Sequence, residues 1–278
     1  MDQNARGEAL LALHQGPDVL VLPNCWDVGS AVVLEGCGYP AIATTSSGVA
    51  HVHGFSDGQH IGRDGMIAAI AEITARVTVP LTTDLEAGYG PSPDDVAETI
   101  RQAIQAGSVG ANLEDGDKSR DDKLLPVEAA VERIAAARAA ADASGVRFVI
   151  NGRTDPFLFR PKHDPAENFT EAVKRGNALR QAGADCIFVP GALDTETMGR
   201  LVKEIDAPIN VLAGFSGYTA PPVDELKAAG VRRISTGGGL ALAALGALRR
   251  MATELKETGR FDYVEDAIPH VEMNTRLA

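Results

Sequence analysis

A closed barrel of eight parallel strands, each followed by a helix, is the fold that three observations on this sequence predict. The chain has 278 residues, long for a simple sandwich or bundle and near the roughly 250 residues of one such barrel. Short β-branched runs alternate with alanine-rich stretches of helical length, the pattern of repeated βα units around a parallel sheet. The candidate strands number eight, which favours a closed (β/α)8 barrel of the TIM type over an open doubly wound sheet.

Taken in order, the predicted strands are Val19 to Leu22, Ala41 to Thr44, Pro80 to Thr83, Val109 to Leu113, Phe148 to Ile150, Cys186 to Val189, Ile209 to Leu212 and Arg233 to Ser235. The opening residues read as a polar-faced helix. Helices are expected near 27–37, 63–76, 94–106, 127–143, 166–182, 195–204, 222–229 and 240–257, the last stopped by Gly259. Glycines at 38, 107, 183 and 230 each stand where a helix should stop before the next strand. No linker divides the chain, so residues 1–278 are read as a single barrel domain, with 261–278 a C-terminal helical extension that packs on a neighbouring subunit. The stretches 45–62 and 114–126 are read as irregular rim segments.

Composition excludes several classes of function. Lys and Arg total 26 against 38 Asp and Glu, a net charge of −12 that repels phosphate backbones and anionic lipid. Neither nucleic acid nor membrane is an expected partner, and no apolar run is long enough to span a bilayer. The three cysteines, Cys25, Cys37 and Cys186, are scattered and read as small buried residues in a reducing, cytoplasmic setting.

In such barrels the reactive groups follow the strands. Asp84 and Glu86 come after strand three, and Glu114 and Asp115 after strand four. Carboxylates meeting at one mouth repel each other, and a hard divalent cation relieves that. Mg²⁺ is the first candidate and Mn²⁺ the second, with Asp84 as direct ligand and Glu86 and Glu114 orienting metal waters. The alternative is that these acids cap helices or pair with rim cations. Arg153, after strand five, offers a donor fork to a carboxylate substrate or a structural ion pair to Asp155 or Glu114. The run Thr44-Thr45-Ser46-Ser47-Gly48 is either an anion-binding turn or an ordinary Ser/Thr turn. His51, His53 and His60 are read as residues of one solvated loop, and Gly237-Gly238-Gly239 as a tight strand-to-helix turn or a phosphate-binding one.

Several motifs agree in order and spacing with one family. Pro23-Asn24-Cys25-Trp26-Asp27, Ser47-Gly48, Asp57, Asp84-Leu85-Glu86-Ala87-Gly88-Tyr89-Gly90, Gly110-Ala111-Asn112-Leu113-Glu114-Asp115 and Arg153 together resemble the isocitrate lyase / phosphoenolpyruvate mutase superfamily. The resemblance runs from about Leu20 to the last strand. It implies a Mg²⁺-dependent homo-oligomer, dimer or tetramer, with a C-terminal helix exchanged between subunits, acting on small 2-oxo or dicarboxylic acids through an enolate-like state. It also implies catalytic roles for Arg153, Ser47 and Asp57, substrate binding by Thr45, Ser47, Gly48, Asp84, Arg153 and Asn210, and metal binding by Asp84, Glu86 and Glu114.

The subfamily signatures are missing. The loop 116–126 lacks the Lys-Lys/Arg-Cys-Gly-His of the lyases and the Lys-Thr-Asn-Ser of the mutase and phosphonopyruvate hydrolase, and Val189-Pro190 stands where the mutase has a histidine. A decarboxylase of an oxaloacetate-type acid is the expected activity. Phosphonopyruvate hydrolase/mutase-like or methylisocitrate lyase-like chemistry is the alternative, and a 2-oxo acid binding protein with little turnover is the alternative of another class.

Overall fold

The computed structural model describes residues 1–116, 123–160, 163–192, 194–214 and 220–278. Nine strand segments, all parallel, follow one another around a barrel: β1 Leu20–Leu22, β2 Asn24–Cys25, β3 Ile42–Thr44, β4 Leu81–Asp84, β5 Gly110–Glu114, β6 Val149–Arg153, β7 Cys186–Phe188, β8 Ile209–Leu212 and β9 Arg233–Ser235. The helices are α1 Gln3–Gln15, α2 Val28–Gly36, α3 Ser46–Val52, α4 Gly62–Thr74, α5 Pro93–Gln105, α6 Val127–Ser144, α7 Pro156–Phe159, α8 Pro165–Gln181, α9 Thr195–Glu204, α10 Val223–Ala228, α11 Gly239–Thr258 and α12 His270–Leu277.

Nine segments make an eight-strand barrel because β1 and β2 are one strand interrupted at Pro23. Proline has no N–H to give a ladder. Below it Leu20 to Leu22 pair with β9, and above it Asn24 and Cys25 pair with β3. Pro23 still contributes its carbonyl, which accepts from Ala43. The barrel thus closes through a single residue that changes neighbours.

Two apolar layers hold the cylinder. The larger lies between strands and outer helices and includes Ile42, Ile70, Ile100, Ile134, Ile150, Leu179 and Leu201. The smaller fills the barrel's base, where Leu10 of α1 meets Leu20, Leu22, Ala41, Val109 and Val149. The first helix therefore plugs the bottom and leaves the C-terminal mouth open.

The stretch 45–62 is not irregular, as expected from sequence: Ser46 to Val52 form α3. Val49 and Ala50 are fully buried, and that packing overrides the turn preference of Ser-Ser-Gly. His51 therefore lies on a helix and His53 caps its end. Cys37 is exposed, whereas Cys25 and Cys186 are buried as expected. Of the 20 residues of α11 only Ala241 is buried, and Leu245 and Leu248 are more than half exposed. The terminal helix α12 lies along α2, where Arg276 covers Gly36 and Arg76 donates to the Leu277 carbonyl. Among the described residues no helix is long and apolar enough to cross a membrane.

Candidate active site

A cavity of about 270 Å³ opens at the C-terminal ends of the strands. Asp84, the last residue of β4, lines it and accepts from three donors. Its Oδ2 accepts the Ser46 amide at 3.1 Å, and its Oδ1 accepts Asn112 Nδ2 at 2.9 Å and the Glu86 amide at 3.3 Å. A carboxylate can only accept, so this contact fixes the Asn112 amide with its carbonyl facing away. That carbonyl accepts Asn151 Nδ2 at 2.9 Å, and Asn151 Oδ1 is left buried and without a partner.

Glu86 occupies a strained position with φ +49°. The turn is held by its own carboxylate, which accepts the Gln59 amide at 2.8 Å and the Tyr89 hydroxyl at 3.1 Å. Burial first, then the nearby Asp84 and Asp57, push this acid up to about 7. Glu114 ends β5 and faces Arg153 of β6, the register partner beside it, at 2.8 Å. Burial pushes Glu114 up to about 8 against the pull of Arg153, with Asp155, Asp84 and Glu86 adding to the rise.

Arg153 carries a second ion pair, Nε to Asp155 Oδ1 at 2.8 Å, and lies over the Phe188 ring. The ion-pair alternative for this arginine is therefore realised on both sides, yet it also lines the cavity. Asp115 does not face the opening. It accepts from Thr154 Oγ1, the Asp155 amide and Arg175 Nη1, tying β5, β6 and α8 together beneath the rim. Among the described residues no helix is capped by Asp84, Glu86 or Glu114, whereas the ion-pair half of that alternative is realised for Glu114 with Arg153 and for Asp115 with Arg175.

The sequence-predicted residues divide into three groups. Thr45, Ser47, Asp57, Asp84 and Arg153 line the one cavity, with Asp57 accepting the Ser46 hydroxyl at 3.2 Å. Glu86 and Glu114 border a neighbouring cavity of about 550 Å³ beside Gln59 and Arg133. Gly48 and Asn210 line neither of these two. A Cβ on Gly48 would stand 2.7 Å from both Trp26 and Thr45 carbons, so this glycine permits close packing. Asn210 is fully buried and exchanges hydrogen bonds with Ser235. Of the rim segment expected over 114–126, residues 117–122 lie outside the described residues; its flanks are joined by a bridge between Gly116 and Leu124.

Sequence reasoning missed Asn24, Asn151 and Arg233 as site residues. Asn24 Oδ1 accepts the amides of Thr236 and Gly237, both at 2.9 Å, while its Nδ2 donates to the Thr44 carbonyl at 2.6 Å. The signal available was a polar residue at an inward position of a barrel strand, where branched apolar side chains dominate.

Among the described residues no three His, Cys, Asp or Glu side chains gather as a closed metal cage. The donor set nevertheless fits a cation that keeps most of its waters: one hydrogen-bonded carboxylate at the mouth, and two buried acids whose affinity for protons is raised by burial and by Asp84. A divalent ion would lower both.

Comparison with known proteins places the geometry in context. The model of the family "Phosphoenolpyruvate phosphomutase" matches residues 10–256. A crystal structure from Burkholderia cenocepacia J2315, of a candidate lyase/mutase, superposes with TM-score 0.92 at 39% identity, covering 99% of this chain and 96% of that one. The 2-methylisocitrate lyase of Escherichia coli (strain K12) is 30% identical over 262 residues, covering 90% of this chain and 82% of its own length. A phosphonopyruvate hydrolase in complex with oxalate and Mg²⁺ shares the fold, with TM-score 0.84 at 22% identity and 100% and 95% of the two chains covered.

Proposed function

The chain belongs to the phosphoenolpyruvate phosphomutase family, within the isocitrate lyase / phosphoenolpyruvate mutase superfamily of enzymes, and from that premise we propose that it is a Mg²⁺-dependent decarboxylase of an oxaloacetate-like 2-oxo acid. The observation that carries the proposal is Asp84 in the cavity beside Arg153, with Glu86 and Glu114 on the adjoining cavity and both driven toward protonation by burial first and by Asp84 among their neighbours. Asp84 would hold the cation directly and Glu86 and Glu114 would hold its waters. Mg²⁺ is the ion found with oxalate in the phosphonopyruvate hydrolase of the same fold. Bound there, it supplies Lewis-acid polarisation of the substrate's carbonyl.

The remaining work falls to the chain. Thr45 and Ser47, whose hydroxyls lie 3.1 Å apart, receive the C1 carboxylate at the start of α3. Arg153 donates to the C2 oxygen as negative charge accumulates on it. Its fork is pre-set by Glu114 and Asp155, so little reorganisation accompanies the reaction. The bond from C3 to its carboxylate breaks, its electron pair becomes the C2–C3 enolate, CO₂ leaves, and C3 takes a proton from water. Asp57 accepts from the Ser46 hydroxyl and so fixes the loop that frames the substrate.

The test is release of pyruvate from oxaloacetate by the purified protein with Mg²⁺, above the rate with Mg²⁺ alone and lost in Asp84→Ala. The relationship to 2-methylisocitrate lyase favours, as second reading, cleavage of another C–C bond in the same class of acid. Phosphonopyruvate, methylisocitrate and dimethylmalate as substrates separate the two, and tight binding without turnover of any of them would favour a binding protein. A homo-oligomer is part of the proposal: the leucine face of α11 is left uncovered by its own barrel and a second copy would cover it.

A further inference from the structure

The cavity continues below Asp84 into the barrel's interior, and the group at its floor is a cation. Arg233 enters from β9, is 2% exposed and lines the same cavity as Asp84 and Arg153. Among the described residues it forms no ion pair. Its hydrogen bonds are two long ones, Nε to Ser235 Oγ at 3.4 Å and Nη1 to His14 Nε2 at 3.5 Å. Both partners are neutral. The His14 Nδ1 faces the Leu10 carbonyl at 2.8 Å, which assigns it the proton and leaves Nε2 an acceptor; burial, with Arg233 second, pushes this imidazole down to about 4. Cys186, nearby, is a thiol pushed up to about 12 by burial and offers no charge.

Contrast with Arg153 is instructive. That arginine is somewhat more exposed and has a carboxylate on each side. A buried guanidinium without one is costly, and folds retain such a charge where a ligand supplies its counter-ion. Two further orphans lie along the same wall: Thr82 Oγ1 and Asn151 Oδ1, both on buried side chains that line the cavity and both without a hydrogen-bond partner. A cation and two unsatisfied oxygens therefore face one space.

We propose that Arg233 is the receptor for a second anionic group of the substrate, so that the site takes a dicarboxylic acid with one carboxylate at the mouth and the other on Arg233. The Thr82 hydroxyl would donate to a ligand oxygen, and Asn151 Oδ1, which can only accept, would take a hydrogen bond from a ligand hydroxyl or a water between the two ends. The inference rests on the reading of the mouth as a 2-oxo acid site, and it sharpens that reading by selecting dianions over monoanions.

Calorimetry in Mg²⁺ with two unreactive acids of equal carbon number tests it: malate, which has the second carboxylate, and 2-hydroxybutyrate, which has a methyl group there. A charge-assisted hydrogen bond is worth about 1.5–3 kcal/mol, so malate should bind the parent protein about tenfold or more tighter. Arg233→Met, apolar and of similar length, should bring the two acids to equal affinity, and Arg233→Lys should retain part of the preference. Equal affinity of both acids for the parent protein, or equal weakening of both by Arg233→Met, overturns the proposal. If the methionine variant does not fold, the parent comparison and the lysine variant decide. Absence of pyruvate release with malate preference intact would sink the decarboxylase and leave this inference standing; turnover without preference would do the reverse.

Discussion

Glu114 Oε2 and Arg153 Nη1 face each other at 2.8 Å, across two strands in register, with Asp155 on the guanidinium's other side. Removing the cation leaves two buried acids without their partner. Arg153→Met should cost about 3–5 kcal/mol of stability and abolish turnover. Combining it with Glu114→Gln should recover part of the stability and none of the activity, as read by urea unfolding beside a pyruvate assay.

Metal binding should register as stability. With Mg²⁺ at a hundred times its dissociation constant the parent protein should gain about 2.7 kcal/mol. Asp84→Ala should show no Mg²⁺-dependent gain in thermal unfolding, and an unchanged gain in that variant would remove Asp84 as the ligand.

The metal-free protein should lose stability as pH rises from about 4.5 to about 7. Folded Glu86 holds its proton up to about 7, above its ordinary 4.5, so the native state binds a proton that the unfolded chain has released. That contribution is complete below the lower value and gone above the higher, and is on the order of 3 kcal/mol at the usual 1.4 kcal/mol per unit. Glu86→Gln should reduce the slope in this window and leave the share that belongs to Glu114, which is pushed up to about 8. Mg²⁺ affinity should climb over the same range, because the proton and the ion compete.

Gly48→Ala should destabilise the junction of α3 with Trp26 and α11. The added methyl would meet Thr45 and Trp26 at 2.7 Å and Ala241 at 3.3 Å, an overpacking worth about 1–3 kcal/mol. Calorimetric unfolding reads the loss.

Leu245→Glu with Leu248→Glu should convert an oligomer to monomer. Both leucines are exposed on α11, and light scattering of the parent and variant proteins shows whether a second copy covers them.

The order of strands and outer helices was legible because each buried element carries its own period: Ile-Ala-Thr, Leu-Thr-Thr and Phe-Val-Ile read as strands without any knowledge of partners. The acids at the mouth were legible for a related reason, since they stand directly after those runs. What sequence could not supply was direction. Gly48 and Asn210 were read as substrate contacts, and whether they face a cavity or a neighbour is settled only when the strands are laid side by side. Segment β2 was invisible because two residues after a proline carry no period. Arg233 stood inside a predicted strand, and its meaning depends on the missing carboxylate, which a linear reading cannot detect.

One consequence of Pro23 reaches the mouth. Everywhere else around the cylinder, main-chain ladders join each strand to the next, but at this seam the upper edge is bonded to one neighbour and the lower edge to the other. Asn24, the next residue, reaches across with its side chain to Thr236 and Gly237 while gripping Thr44 behind it. A single carboxamide thereby does the stitching that backbone does elsewhere, and the circumference of the opening hangs on it.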